Sequence, residues 1–197
     1  MKLDRKTGSL VGVVVFVLLI GGIFAFRDTG SESSSSETVK SLENGDANLA
    51  MDYTEIMFAQ RMIPHHEQAV YMSVLALKNS TNQDVLDLAT GIKAAQGPEI
   101  AQMKSWLERV DAASSMDHDM GMDGMQSESD LAALEAATGN TFDKLFLKGM
   151  IAHHEGAIAM ATTIVDSKNS EIETLRDNIV EGQTAEISKM KALLKTL

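Results

Sequence analysis

One fifteen-residue stretch occurs twice in this chain, 88 residues apart. The first copy, Phe58–Met72, reads FAQRMIPHHEQAVYM, and the second, Phe146–Met160, reads FLKGMIAHHEGAIAM. Phe, Met, Ile, His-His-Glu, Ala and a closing Met recur in register, and four of the five histidines of the chain fall in these two copies. Everything else in the chain reads as the scaffold that brings the two copies together, or as the anchor that sets where they work.

Each unit reads as a helical hairpin. At about 100° per residue, Glu55, Phe58, Met62, His65, His66, Ala69, Met72 and Ala76 line one stripe of a helix. Asp143, Phe146, Met150, His153, His154, Ala157, Met160 and Ile164 line its counterpart. Pro64 lies inside the first stripe and is expected to kink that helix. The first helix is expected to end near Lys78-Asn79, with Ser80, Thr81 and Asn82 as caps for the next. The second helix carries Val85, Leu88, Ile92, Gln96, Glu99, Met103, Trp106 and Leu107 inward. The last helix, capped by Asn169 and Ser170, carries Ile172, Leu175, Ile179, Gln183, Glu186, Met190 and Leu194. Gln96-x-x-Glu99-Ile100-x-x-Met103 thus returns as Gln183-x-x-Glu186-Ile187-x-x-Met190, so whole helix pairs are duplicated. A short helix over Ser129–Ala137 is expected between the halves. Two hairpins, each with one stripe to bury, cover those stripes most simply as an all-α four-helix bundle.

The polar residues on the stripes carry the chemistry. Adjacent histidines project about 100° apart, so both can border one core-facing stripe. Met62 precedes His65 by three positions and His66 by four, within side-chain reach of both, and Met150 stands likewise to His153 and His154. Imidazole suits copper, zinc, nickel and iron, whereas thioether sulfur favours Cu(I). Di-iron carboxylate bundles carry Glu-x-x-His on two helices. Here the corresponding positions hold Met-x-x-His, which favours copper over iron. Gln96, Glu99, Gln183 and Glu186 are costly on inner faces unless paired. They are read as hydrogen-bond partners of the histidines, with direct ligation through Glu99 and Glu186 as the alternative. Glu67 and Glu155 point away from the stripe, toward Lys or Arg on a neighbouring helix. A buried polar network without metal would be duplicated just as faithfully. Met72, Met103, Met160 and Met190 are read as core.

The loop 114–127 (SSMDHDMGMDGMQS) breaks the helical pattern. Met116, Met120, Met122 and Met125 surround His118 there, with no core to fill, and suit copper capture. The Asp residues lack the spacing of an EF-hand.

The N-terminal end sets where the domain works. Lys2, Arg5 and Lys6 precede twenty uncharged residues, 7–26. That length spans a bilayer and exceeds a signal-peptide core of about 7–15 residues. With basic residues before it, residues 1–27 read as a cytoplasmic stub and an uncleaved single-pass signal-anchor in the plasma membrane, with a cleaved signal peptide as the alternative. Residues 28–46 are a Ser-rich flexible stalk, and residues 47–197 form the helical domain outside the cytoplasm, in the periplasm or at the cell surface. The net charge is −11, of which residues 1–27 contribute +3. The acidic remainder excludes nucleic acid and suits cations. With no cysteine there is neither a disulfide framework nor a thiolate metal site.

The paired Met-Ile-x-His-His-Glu-x-Ala-(Val/Ile)-x-Met segments and the Gln-x-x-Glu-Ile-x-x-Met motifs resemble the domain of unknown function 305 family, over roughly residues 50–197. That family has a ferritin-like helical-bundle fold and includes CopM-type periplasmic copper-binding proteins. The resemblance implies copper handling by Met62, His65, His66, Met150, His153 and His154. The anchor, the stalk and the Met/His loop stand outside the shared core. The combined expectation is a membrane-tethered, extracytoplasmic copper-binding protein serving sequestration, resistance or delivery. Cu(I) comes first, then Cu(II), with zinc or iron behind. It is expected not to be an enzyme, and a copper exporter, chaperone or cuproenzyme would be its partner. The alternatives are a ferritin-like metal oxidase using His65, His153, Glu99 and Glu186, or a metal-free structural and interaction bundle.

Overall fold

The computed structural model describes residues 50–114 and 122–197. All regular structure among them is helical: α1 (Tyr53–Asn79), α2 (Gln83–Arg109), α3 (Glu128–Ala136), α4 (Gly139–Ala161) and α5 (Ser170–Leu193). A single 3-10 turn, Thr162–Ile164, extends α4. The expected membrane span 7–26 and the stalk lie outside the described residues, and no described helix is long and apolar enough to cross a membrane.

The helix ends follow local chemistry. Asp52 caps α1 by accepting from the Glu55 N–H at 2.9 Å, while the Glu55 carboxylate accepts from the Asp52 N–H at 2.9 Å. This reciprocal pair satisfies two backbone donors that the first turn leaves free. Ser127 and Asp130 do the same for α3. Asn82 caps α2 and Asn169 caps α5, each accepting from the N–H two residues on. In both turns the Asn N–H donates to a Ser Oγ at 3.1 Å, Ser80 in one half and Ser167 in the other. The repeat therefore extends to the turns. α1 runs as one helix through Pro64, and α2 does so through Pro98.

α1 packs along α2 and against α4, and α4 packs along α5, whereas α2 and α5 barely touch. The interior divides into two apolar clusters. One gathers Phe58, Met62, Met103, Trp106, Met160 and Ile179 with their neighbours. The other gathers Met72, Ile92, Phe142, Phe146, Met150 and Met190 with theirs. On every long helix the polar inward residues lie between the segments that feed the two clusters. His65 and His66 on α1, Gln96 and Glu99 on α2, His153 and His154 on α4, and Gln183 and Glu186 on α5 thus form a belt across the middle of the bundle.

A second polar contact ties the halves together at the bundle's end. Glu55, 5% exposed, accepts from the Ser167 hydroxyl at 2.5 Å across 112 residues of chain. Its repeat equivalent Asp143 is equally enclosed, with Oδ1 unpartnered.

Candidate metal centre

All four belt histidines are fully buried. Helix periodicity puts them there: each pair is preceded one turn earlier by a buried Met and followed one turn later by a buried Ala. The antiparallel meeting of α1 and α4 brings the repeat-related rings of His65 and His153 to a centroid distance of 3.7 Å with a 40° tilt. His153 and His154 lie 6.3 Å apart by the same measure.

Carboxylates on the outer helices hold the other two rings. His66 Nε2 donates to Glu99 Oε2 at 2.9 Å, and His154 Nε2 donates to Glu186 Oε2 at 2.8 Å. The glutamates are part-exposed, 18% and 20% at the side chain, because the α2–α5 seam is open. A cavity of about 540 Å³ in that seam, lined by Asp84, Asp87, Leu88, Glu186 and Lys189, brings solvent to the Glu186 carboxylate. Leu88 is half-buried for the same reason, whereas Leu194 is half-buried as the cap residue just beyond the end of α5. The departure of Leu88 from the expected inner face follows from a bundle closed on three sides and loose on the fourth.

With Nε2–H engaged, the neutral form of His66 and of His154 has its lone pair on Nδ1, and both Nδ1 atoms are buried without a partner. His65 Nε2 donates to the Asp123 backbone carbonyl at 3.2 Å, leaving its Nδ1 buried and unpartnered. Both nitrogens of His153 are without a partner. Orphaned buried polar atoms are rare in folded proteins and call for an explanation. Burial, opposed by the Asp123 hydrogen bond and reinforced by His66, His154 and Arg61, lowers the His65 pKa to about 3. Burial, then repulsion from His65 and the other two rings, holds His153 well below the ordinary imidazole range. Neutral imidazole is the form that ligates metals.

The other expected site residues divide. Met62 and Met150 are fully buried but sit on opposite sides of the belt, one in each apolar cluster. Gln96 and Gln183 reach belt level, yet both amide atoms of Gln96 and Oε1 of Gln183 lack partners, so neither assists a histidine. Glu67 pairs with Lys104 at 2.7 Å and Glu155 with Lys191 at 2.8 Å, facing solvent as expected. Among the described residues no three His, Asp or Glu side chains converge as a ligand set.

The loop reading needs correction. Met116, His118 and Met120 lie outside the described residues. Met122 and Met125 are half-buried, and Met122 packs against the first apolar cluster. This end of the loop therefore has a core to fill, and its Asp123 carbonyl reaches His65. Sequence reasoning missed Asp123 because a backbone atom leaves no side-chain signal. It also missed Gln68, which accepts from the Gln126 N–H at 2.7 Å and donates to the Gln126 carbonyl at 3.0 Å. The mismatch of Gln68 with Gly156, between His-His-Glu and Ala in the two copies, is the available signal.

Fold and site together define a duplicated helical-hairpin bundle with a buried imidazole belt braced by carboxylates. The chain belongs to the family described as Domain of unknown function (DUF305), whose profile matches residues 55–194. A putative secreted DUF305 protein from Streptomyces coelicolor is similar, with a TM-score of 0.70 and 28% identity over 75% of this chain and 95% of that one. A DUF305 fragment from Deinococcus radiodurans gives 0.68 and 33% over 74% and 98%. CopM in its Cu(I)-bound form gives 0.62 and 31% over 74% and 98%. CopM has also been solved in Cu(II)-bound and Ag-bound forms. No curated protein matches the chain.

Proposed function

We propose that this chain is a copper-binding protein of the extracytoplasmic space, tethered by residues 7–26, that holds Cu(I) at the histidine belt for sequestration, resistance or delivery. The observation that carries the reading is the set of buried, unpartnered imidazole nitrogens on His65, His66, His153 and His154. Likeness to CopM, solved with Cu(I), supports it independently. The donor set fits a soft ion of low coordination number. Imidazole lone pairs face the interior, thioethers flank the belt on both sides, and the carboxylates brace rings rather than crowd an ion. Met62 and Met150, one on each side, are the sulfur ligands of this reading, and Met116, His118, Met120 and Met125 form the capture segment. Cu(II) is second, with the histidines as its ligands.

A binder rather than an oxidase is favoured because Glu99 and Glu186 are engaged by His66 and His154. Parallel anaerobic titrations of the full chain with Cu(I), zinc and ferrous iron against chromogenic chelators test the reading. Selective, tight uptake of Cu(I) is expected. Preference for zinc or iron would make the carboxylates ligands and move the oxidase ahead.

A further inference from the structure

The repeat predicts that His65 and His153 are equivalent, yet their surroundings differ. Residues 122–127 cross the pair of helices that carries them. On α1, Gln68 grips this strap through both backbone groups of Gln126. On α4, the strap lies so close that a Cβ added at Gly156 would stand 1.9 Å from the Asp123 carbonyl oxygen, and the three atoms nearest to it all belong to the strap. Gly124, at φ +81°, comes equally near from the other side, since its own Cβ would stand 2.3 Å from the Ala152 carbonyl oxygen. The Gln126 amide closes the arrangement by donating to the carbonyls of Gly124 at 3.1 Å and Gly149 at 3.3 Å.

Gln68 and Gly156 occupy the same place in the two repeat copies. One supplies the side chain that holds the strap, and the other supplies the space that receives it. The consequence falls on a single ring. A carbonyl only accepts, so the Asp123 oxygen requires the proton of His65 on Nε2 and its lone pair on Nδ1. No such partner meets His153.

We propose that Asp123–Gln126 is a positioning strap that locks His65 into the Nε2–H tautomer, and that Gln68 and Gly156 are the positioning residues that seat it. The duplicated site is thereby made asymmetric: His65 offers a lone pair from one defined atom, while no strap carbonyl fixes the tautomer of His153, whose ring has, among backbone groups, only that of His65 beside it. The consequence for metal rests on the copper reading above, whereas the tautomer is a property of the metal-free protein.

The test is nitrogen-15 imidazole spectroscopy of the metal-free full chain, with Gly156→Ala and Gln68→Ala beside the parent and the rings assigned by single His→Gln changes. In the parent, His65 is expected as the Nε2–H tautomer alone. In both variants it should become a mixture, while His66 and His154, still braced by Glu99 and Glu186, keep their Nε2–H signatures. Cu(I) stoichiometry should hold and affinity fall about 10-fold, the low end of the effect of losing a ligand-orienting partner. If Gly156→Ala fails to fold, Gln68→Ala, which adds no volume, carries the test alone. A single Nε2–H tautomer retained in the variants, or an Nδ1–H tautomer in the parent, overturns the strap whatever the protein binds. A parent that ignores copper, with variants whose His65 tautomer becomes mixed as expected, overturns the copper reading and leaves the strap standing.

Discussion

His65 and His153, separated by 88 residues of chain, lie with their rings 3.7 Å apart at the centre of the bundle. Two imidazoles so placed cannot both be charged at modest cost: repulsion adds to burial, and each ring is held neutral. The contact makes the belt an acid-sensitive element of the fold.

The sign of that sensitivity follows directly. Unfolded histidine titrates near 6.5, whereas His65 in the fold titrates at about 3. The unfolded chain therefore takes up protons first as pH falls, and the stabilising contribution is fully present above about 6.5 and lost progressively toward about 3. Thermal melts of the metal-free protein should show Tm dropping across this window. In His65→Gln with His153→Gln the drop should be shallower, and an identical slope would contradict the burial account.

The glutamates of the two motifs should behave oppositely. Glu99→Ala or Glu186→Ala removes the group that fixes a ring and should weaken Cu(I) binding about 10- to 100-fold, with Gln at either position milder than Ala. Glu67→Gln and Glu155→Gln break only exposed pairs with Lys104 and Lys191 and should change stability by about 0.5 kcal/mol or less. They should leave metal affinity unchanged. Competition titrations and melts of these variants check both statements.

Met62→Leu with Met150→Leu is a volume-conserving change at two fully buried sites and should cost less than about 1.5 kcal/mol per site. It should weaken Cu(I) binding much more than Zn²⁺ binding, because sulfur matters to the soft ion. Equal losses for the two ions would remove the thioethers from the site.

Ser167→Ala leaves the buried Glu55 oxygen without its donor and should destabilise the fold by about 1–3 kcal/mol. Chemical denaturation measures this. A neutral result would show that water replaces the hydroxyl.

Much of this arrangement was legible in the chain because helix periodicity and duplication constrain each other. Both stripes, Glu55 to Ala76 and Asp143 to Ile164, are buried as the period requires. The pairing of Glu67 and Glu155 with lysines, and of Glu99 and Glu186 with histidines, follows from which way each residue projects. The open α2–α5 seam was not legible, since periodicity says which face is apolar but not how tightly two faces close. Leu88, Glu99 and Glu186 are only partly buried for that reason. Nor could composition show that Met122 meets the core while Asp123 reaches His65. Those contacts depend on where the connection crosses the helices, and only the mismatch of Gln68 with Gly156 marks that place.

Cu(I) binding at the histidine belt is open to direct measurement. The most direct test is anaerobic competition of the full chain and its His65→Gln, His66→Gln, His153→Gln and His154→Gln variants, singly and combined, against a chromogenic Cu(I) chelator, with helical content followed by circular dichroism. The account predicts tight binding by the parent, partial loss in each single variant and abolition of the belt site in the combined variant while the helices persist. Parent-like Cu(I) affinity and stoichiometry in a folded combined variant, or no Cu(I) uptake by the parent, would contradict it.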